Sequence, residues 1–287
     1  MSWKKWRKNV NVKEQKDIPL RAIAKGVLFA ALISIGLYPS VSLAQPAQVA
    51  SSSTQSSKYR PSAEEEKLLS FVKAVVASNE DVWKRLFTEQ GKSYRDPQLV
   101  LYSGQAFSIC GMVRAELGPT YCPGDRKLYL DLSYLGRMEQ QLRSDVSFKK
   151  AGDFALAYIV SHEFGHHIQN LLGISDWLNM QHRQMDARSF NRLQVRFELQ
   201  ADYLAGIWAH YAEKWFPGLW ESRDIEDALK AANVGGDDRI QGQLQGQVRP
   251  DTFTQGTSEQ RMRWFYKGYS SGDLGGGNTF QVPDSQL

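Results

Sequence analysis

His162 and His166 stand four residues apart, with Glu163 directly after the first, in the run AGDFALAYIVSHEFGHHIQNLLG. On a helix such residues lie about 40° apart around the axis, so both imidazoles share a face. Two ring nitrogens placed that way can hold one Zn2+. A carboxylate at position 163 can take a proton from a water activated at that metal. The spacing repeats downstream, where Glu198 and Asp202 stand in FELQAD. Glu198 is the candidate third metal ligand. Asp202, one turn on, is the candidate acceptor for the outer N–H of a ligand histidine. The longer motif with a glycine and a third histidine is excluded, because Gln169 and Leu172 occupy those positions.

Elements must carry these groups. Phe154, Ala155, Tyr158, Ile159, Phe164 and Ile168 recur at helical spacing, and Gly173 is a natural stop. A second helical pattern runs from about 189 to 215, with Leu193, Phe197, Leu204, Ile207, Trp208 and Tyr211 apolar. The apolar neighbours of Glu198 and Asp202 mean that these carboxylates, once buried, need partners. Upstream, Ser62 is a helix cap, Glu64, Glu65 and Glu66 suit the positive end, and the pattern runs to about Gly91.

Two strands are expected, at Leu99–Tyr102 and over 127–132, where Leu128, Leu130 and Leu132 share a face. The second is expected to be the edge strand bordering the cleft, where an extended peptide substrate adds by main-chain hydrogen bonds. Further on, Ser222 caps an expected helix carrying Ile225, Ala228, Leu229 and Ala232 and ending at Gly235. The Gly/Gln-rich residues 235–256 read as a loop. Thr257 and Gln260 have capping-box spacing ahead of another helix, and 270–287 reads as a loose tail. The fold class that follows is α+β, mainly helical, with a small sheet packed on the HExxH helix.

The chain has 287 residues, 42% of them hydrophobic, enough for one domain with a real core. Its net charge of +4 sits at the N-terminus, since residues 1–25 hold eight of the 35 Lys/Arg and two of the 31 Asp/Glu, and 26–44 hold none. The body is thus slightly acidic, and no nucleic-acid partner is expected. Residues 1–25 read as a basic cytoplasmic lead. Residues 26–44 read as a signal peptide, cleaved after Ala44, or as a retained membrane anchor. Residues 45–62 read as a disordered Ser/Gln/Pro linker, and 63–287 as the catalytic domain. Either reading of 26–44 exports the body, to the periplasm or the outer face of the cytoplasmic membrane, with the N-terminus inside. Cys110 and Cys122, the only two cysteines, are then expected to form a disulfide.

Taken together, the stretches ICGMVRAELGPTYCPGDRKLYLDLSYL, YIVSHEFGHHIQNLLG, RFELQADYLAGIWAHYA, ALKAANVGGDDRIQ and FTQGTSEQRMRWFYKGYSSGD resemble the bacterial neutral zinc metallopeptidase family, a gluzincin-like group of exported or anchored proteins. The resemblance implies one zinc per chain on His162, His166 and Glu198, Glu163 as general base, and hydrolysis of peptide bonds outside the cytoplasm. Tyr203, His210 and His182 are the candidate oxyanion donors. Family members often carry one cysteine where Tyr203 stands and another near Gly277. This chain has neither, so its tail must be held to the second zinc helix by other means. Two further readings compete: a zinc-binding scaffold or chaperone without catalysis, and a hydrolase of peptidoglycan peptides.

Overall fold

Ser62 starts the first long helix with a complete capping box: its hydroxyl accepts from the Glu65 N–H, and the Glu65 carboxylate accepts from the Ser62 N–H. The computed structural model describes residues 10–14, 62–144, 152–216, 225, 236–245 and 247–287. In chain order the elements are β1 (Val12–Glu14), α1 (Ala63–Glu89), β2 (Gln98–Tyr102), β3 (Gln105–Ser108), β4 (Gly111–Arg114), β5 (Thr120–Cys122), β6 (Lys127–Asp131), α2 (Leu132–Ser144), α3 (Gly152–Leu171), α4 (Ile174–His182), α5 (Ala187–Trp215), α6 (Asp237–Gln245) and α7 (Ser258–Ser271). The fold is α+β and mainly helical. Among the described residues, no helix is long and apolar enough to cross a membrane.

α5 is the central helix. α3 crosses it on one side and α7 packs along another. Both contacts are closer than side chains permit. A Cβ on Gly165 of α3 would lie 2.6 Å from the Ala201 carbonyl oxygen of α5. A Cβ on Gly206 of α5 would lie 2.1 Å from the Phe265 carbonyl oxygen, and one on Gly268 of α7 would lie 2.2 Å from that of Tyr203. Glycine therefore sets how near the three helices come. α1 closes the bundle through polar as well as apolar contacts. The Asn79 amide donates to Ser161 on α3 at 2.9 Å, and the Trp208 indole of α5 donates to Ser78 at 3.0 Å.

The sheet has the order β1-β2-β6-β5. β1 and β6 flank β2 in parallel, and β5 runs antiparallel to β6. The alternation in β6 behaves as its sequence says, with Leu128 and Leu130 in the main core and Tyr129 on the opposite face. Its position does not. β6 is an inner strand with a neighbour on each side, and the edge strand that packs on α3 is β5. β3 and β4 form a separate hairpin. Cys110, at its turn, is disulfide-bonded to Cys122 of β5, with Cα atoms 5.8 Å apart.

Two segments are more ordered than their composition suggests. α6 occupies part of the expected loop, because Gln is a good helix former and Asp237 holds the connection to α7. Its carboxylate accepts from the N–H groups of Thr254, Gln255 and Gly256. The tail is also fixed. Arg196 of α5 donates to the carbonyls of Thr279 and Val282 and pairs with Asp284. Gln200 donates to the Gly277 carbonyl at 3.0 Å, and the Tyr203 hydroxyl donates to that of Asp273. A Cβ on Gly277 would lie 2.5 Å from the Tyr203 ring. In this chain a tyrosine laid on glycine thus helps hold the tail to α5.

The signal or anchor at 26–44, most of the linker, and the helix expected after Ser222, apart from the buried Ile225, lie outside the described residues. Part of the expected cytoplasmic lead does not: residues 12–14 are β1, a strand of the body's own sheet.

Candidate metal centre

α3 presents His162 and His166 to α5, and α5 presents Glu198 back. Nε2 of His162 lies 3.2 Å and Nε2 of His166 3.3 Å from the same Glu198 oxygen, Oε2. The ligand atoms of the three residues all lie within 4.8 Å of one another. The imidazoles meet edge to face, with centroids 4.8 Å apart. The Gly165–Ala201 approach makes this convergence possible, since it falls one residue from His166 and three from Glu198.

Each histidine is oriented from behind. His162 Nδ1 donates to Asp202 Oδ1 at 2.8 Å, which leaves Nε2 free to face Glu198. Asp202 is itself fully buried and triply held. The Tyr158 hydroxyl donates to Oδ1 at 2.5 Å, and Arg261 of α7 donates through Nε to Oδ2 at 2.9 Å and through a terminal nitrogen to Oδ1 at 3.0 Å. The same guanidinium donates to the Tyr158 hydroxyl at 3.1 Å. His166 Nδ1 donates to Gln169 Oε1 at 2.9 Å, and the Gln169 amide donates to the Phe197 carbonyl at 2.7 Å. That second bond fixes which way the Gln169 amide points. The Phe197 ring stacks on His166 with planes 16° apart.

The charges define what the site can hold. Glu163, Glu198 and Asp202 are buried carboxylates, and Arg261 is the cation set among them. With neutral imidazoles the cluster carries two negative charges, and buried charge must be compensated. Without a metal the histidines supply that compensation. Burial acts to lower the His162 pKa, but Asp202 and Glu198 outweigh it and raise the ring to about 9. Burial likewise opposes the rise at His166, which Glu198 drives. Glu198 is held well below the carboxylate range despite burial, because both imidazoles favour its charged form. Two nitrogens and one oxygen, oriented and short of a 2+ charge, fit a zinc ion with a coordination position left open.

Glu163 does not join the three ligand atoms. It is buried, and burial raises its pKa against the pull of His166 and His162, with the nearby Tyr121 backbone N–H on β5 also acting to lower it. The edge strand thus borders the helix that carries the candidate base. Beside them, the neutral His167 ring accepts from the Tyr121 hydroxyl at 2.9 Å and donates to the Arg95 carbonyl at 2.8 Å, tying α3 to β5.

The three candidate oxyanion donors are not brought to this cluster. The Tyr203 hydroxyl is spent on the tail, His210 Nδ1 donates to the Tyr269 carbonyl, and His182 packs on Phe190 at the far end of α4. Sequence reasoning missed Tyr158, Gln169 and Arg261. Tyr158 and Gln169 carried a signal, standing four residues before His162 and three after His166 on the same helix face. Arg261 carried none.

An HExxH helix crossed by a Glu-bearing helix, with an edge strand beside the glutamate base, defines a zinc-peptidase type of centre in an α+β domain. Comparison of sequences agrees. The chain belongs to the family described as "Putative neutral zinc metallopeptidase", whose pattern matches residues 1–280. It is 43% identical over 228 residues to "Uncharacterized protein YpfJ" of Escherichia coli (strain K12), covering 79% of this chain and 77% of that one. It is 40% identical over 211 residues to "Uncharacterized protein Rv2575" of Mycobacterium tuberculosis (strain ATCC 25618 / H37Rv), covering 71% and 67%. No solved structure matches.

Proposed function

We propose that the protein is a zinc-dependent endopeptidase in which His162, His166 and Glu198 hold the metal and Glu163 moves the protons. A bound zinc would supply Lewis acidity, polarising the scissile carbonyl and easing deprotonation of a water. Glu163 takes that proton as the water attacks and returns it to the departing amine. Burial, which raises its pKa, suits it to carry a proton in both directions. Asp202, Tyr158 and Arg261 keep His162 in the tautomer that offers Nε2, and Gln169 does the same for His166. An extended peptide fits along β5, which packs on the helix that carries Glu163. The Cys110–Cys122 bond supports action in an oxidising compartment outside the cytoplasm.

The observation that carries this reading is the placement of Glu163. A buried carboxylate beside three converged ligand atoms, and not one of them, has no use in a purely structural zinc site. The test compares wild type with Glu163→Gln for zinc content, melting temperature and cleavage of unfolded casein and of cell-wall peptides, with a chelator control. The variant is expected to keep zinc and fold and to lose about 100- to 10,000-fold in rate. Equal cleavage by both proteins would remove Glu163 from the mechanism. A wild type without hydrolysis would favour the scaffold, and cleavage of cell-wall peptides alone would move the substrate class to peptidoglycan.

A further inference from the structure

α5 turns two different flanks to the rest of the protein. Glu198 and Asp202 lie on the flank that faces the histidines of α3. Arg196, Gln200 and Tyr203 recur at four and three residues and lie on another, since Gln200 stands about 200° around the axis from Glu198. All three of these side chains bond to residues 273–284. The tail answers in kind, for the buried Thr279 hydroxyl donates to the Arg196 carbonyl.

Gln200 has a second partner. Its Oε1 accepts from Gln169 Nε2 at 3.0 Å. A continuous file of bonds therefore runs from the tail to the metal centre. Gln200 Nε2 donates to the Gly277 carbonyl, Gln169 Nε2 donates to Gln200 Oε1, and His166 Nδ1 donates to Gln169 Oε1. Both glutamines are buried, so neither amide can turn to water for a partner. The direction of the file is set at its ends, because a backbone carbonyl only accepts. The Gly277 carbonyl fixes the NH2 of Gln200 toward the tail and its oxygen toward Gln169. That oxygen and the Phe197 carbonyl together take both N–H groups of the Gln169 amide. Gln169 then has only its oxygen to offer His166, and only an Nδ1–H can meet it, which leaves Nε2 bare. Turning either amide over would set N–H against N–H at one end and oxygen against oxygen at the other.

We propose that Gln200 is a positioning residue of the metal centre, through which the Gly277 carbonyl of the tail sets the tautomer and ring direction of His166. The assignment rests on the reading of His166 as a zinc ligand and not on the reaction that follows. Loosening the tail therefore weakens the metal site without touching a ligand. His162 is independent of the tail, being held by Asp202 with Tyr158 and Arg261 behind it.

The test uses the full-length chain loaded with zinc, its histidine ring nitrogens isotope-labelled. Gln200→Met keeps the length of the side chain and its helix propensity but removes the amide. Arg196→Met leaves Gln200 in place and releases the tail at Thr279, Val282 and Asp284. In both variants the His166 Nδ1–H proton is expected to exchange faster with solvent in the ring proton–nitrogen spectrum, while that of His162 stays as in wild type. Competitive titration is expected to show zinc affinity lowered about 10-fold in Gln200→Met, the low end for groups that support a ligand, and less in Arg196→Met. Ser62→Ala, which weakens the fold at the start of α1, is expected to leave both readouts unchanged. An unchanged His166 proton and unchanged affinity in Gln200→Met would overturn the assignment, and so would a like change in Ser62→Ala. An effect of Gln200→Met with none of Arg196→Met would remove the tail from the file. Should Gln200→Met not fold, Arg196→Met decides alone. A wild type that binds no zinc would overturn this assignment together with the proposed function, whereas zinc binding indifferent to Gln200 would overturn this assignment only.

Discussion

Replacing Gly165 with Ala tests whether the helix crossing sets the metal geometry. The added Cβ would lie 2.6 Å from the Ala201 carbonyl oxygen and 2.8 Å from its Cα. Both neighbours are backbone, so neither can rotate away. Restoring ordinary contact requires α3 and α5 to part by roughly 0.8 Å, and overpacking of this kind costs about 1–3 kcal/mol. The substitution also removes a mid-helix glycine, a gain of about 0.5–1 kcal/mol. The balance is a loss of about 0–2.5 kcal/mol, or up to roughly 10 °C in melting temperature for a domain of this size. The larger effect falls on the metal. Glu198 would move away from both imidazoles together, whereas a metal site tolerates about 0.2 Å. Zinc affinity is expected to fall roughly 10- to 100-fold, as when supporting groups are lost. The assay is a competitive zinc titration alongside thermal unfolding of the chelated protein. Gly136→Ala is the control, since its Cβ would meet only Leu68 Cδ2, at 3.8 Å. It should leave zinc affinity unchanged and stability equal or slightly higher. If Gly165→Ala behaves like Gly136→Ala, the close crossing does not position the ligands.

Three further outcomes are expected. Arg261→Met leaves buried Asp202 without its guanidinium partner and should cost about 3–5 kcal/mol, read by urea denaturation of the metal-free protein at about pH 9.5, where His162 is neutral; a loss under 1 kcal/mol would make the pair incidental. The metal-free protein should lose stability as pH rises. The folded pKa of His162, about 9, exceeds the unfolded 6.5. Its contribution of about 3 kcal/mol is therefore complete below pH 6.5 and gone once pH passes 9; a flat profile over that window in the chelated protein would refute the charge assignment. Thiol titration of the denatured, unreduced protein should find no free thiol, and reduction should cost roughly 3 kcal/mol for a loop with sequence separation 12; two free thiols would refute the bond and the oxidising compartment with it.

How much was legible in the sequence depended on the distance over which the information acts. His162, Glu163 and His166 were readable because one helical turn relates them, and a turn is a local property. Glu198 and Asp202 were readable for the same reason once a second helix was found. The alternation of Leu128, Leu130 and Leu132 gave a strand and its inner face. It could not give the strand's neighbours, because pairing order depends on where the chain before and after it travels. β6 therefore lies inside the sheet, and β5, only three residues long, takes the edge beside Glu163.

Tyr203 and His210 stand on the same helix as Glu198 and Asp202 but are turned to other neighbours. Position 203 points about 100° away from position 202, and position 210 lies about 12 Å further along the axis. Both engage the tail and α7, away from the candidate metal ligands. Arg261 was beyond reach on any local argument. It meets Asp202 across 59 residues and His162 across 99, and only the close Gly206–Gly268 packing of α5 on α7 brings it there. The sequence alone thus determined the candidate ligands, the candidate base and their spacing. Tertiary structure alone decided what holds the ligands from behind, which strand borders them, and that residues 12–14 belong to the same sheet. Those contacts join residues far apart in the chain, and only packing selects them.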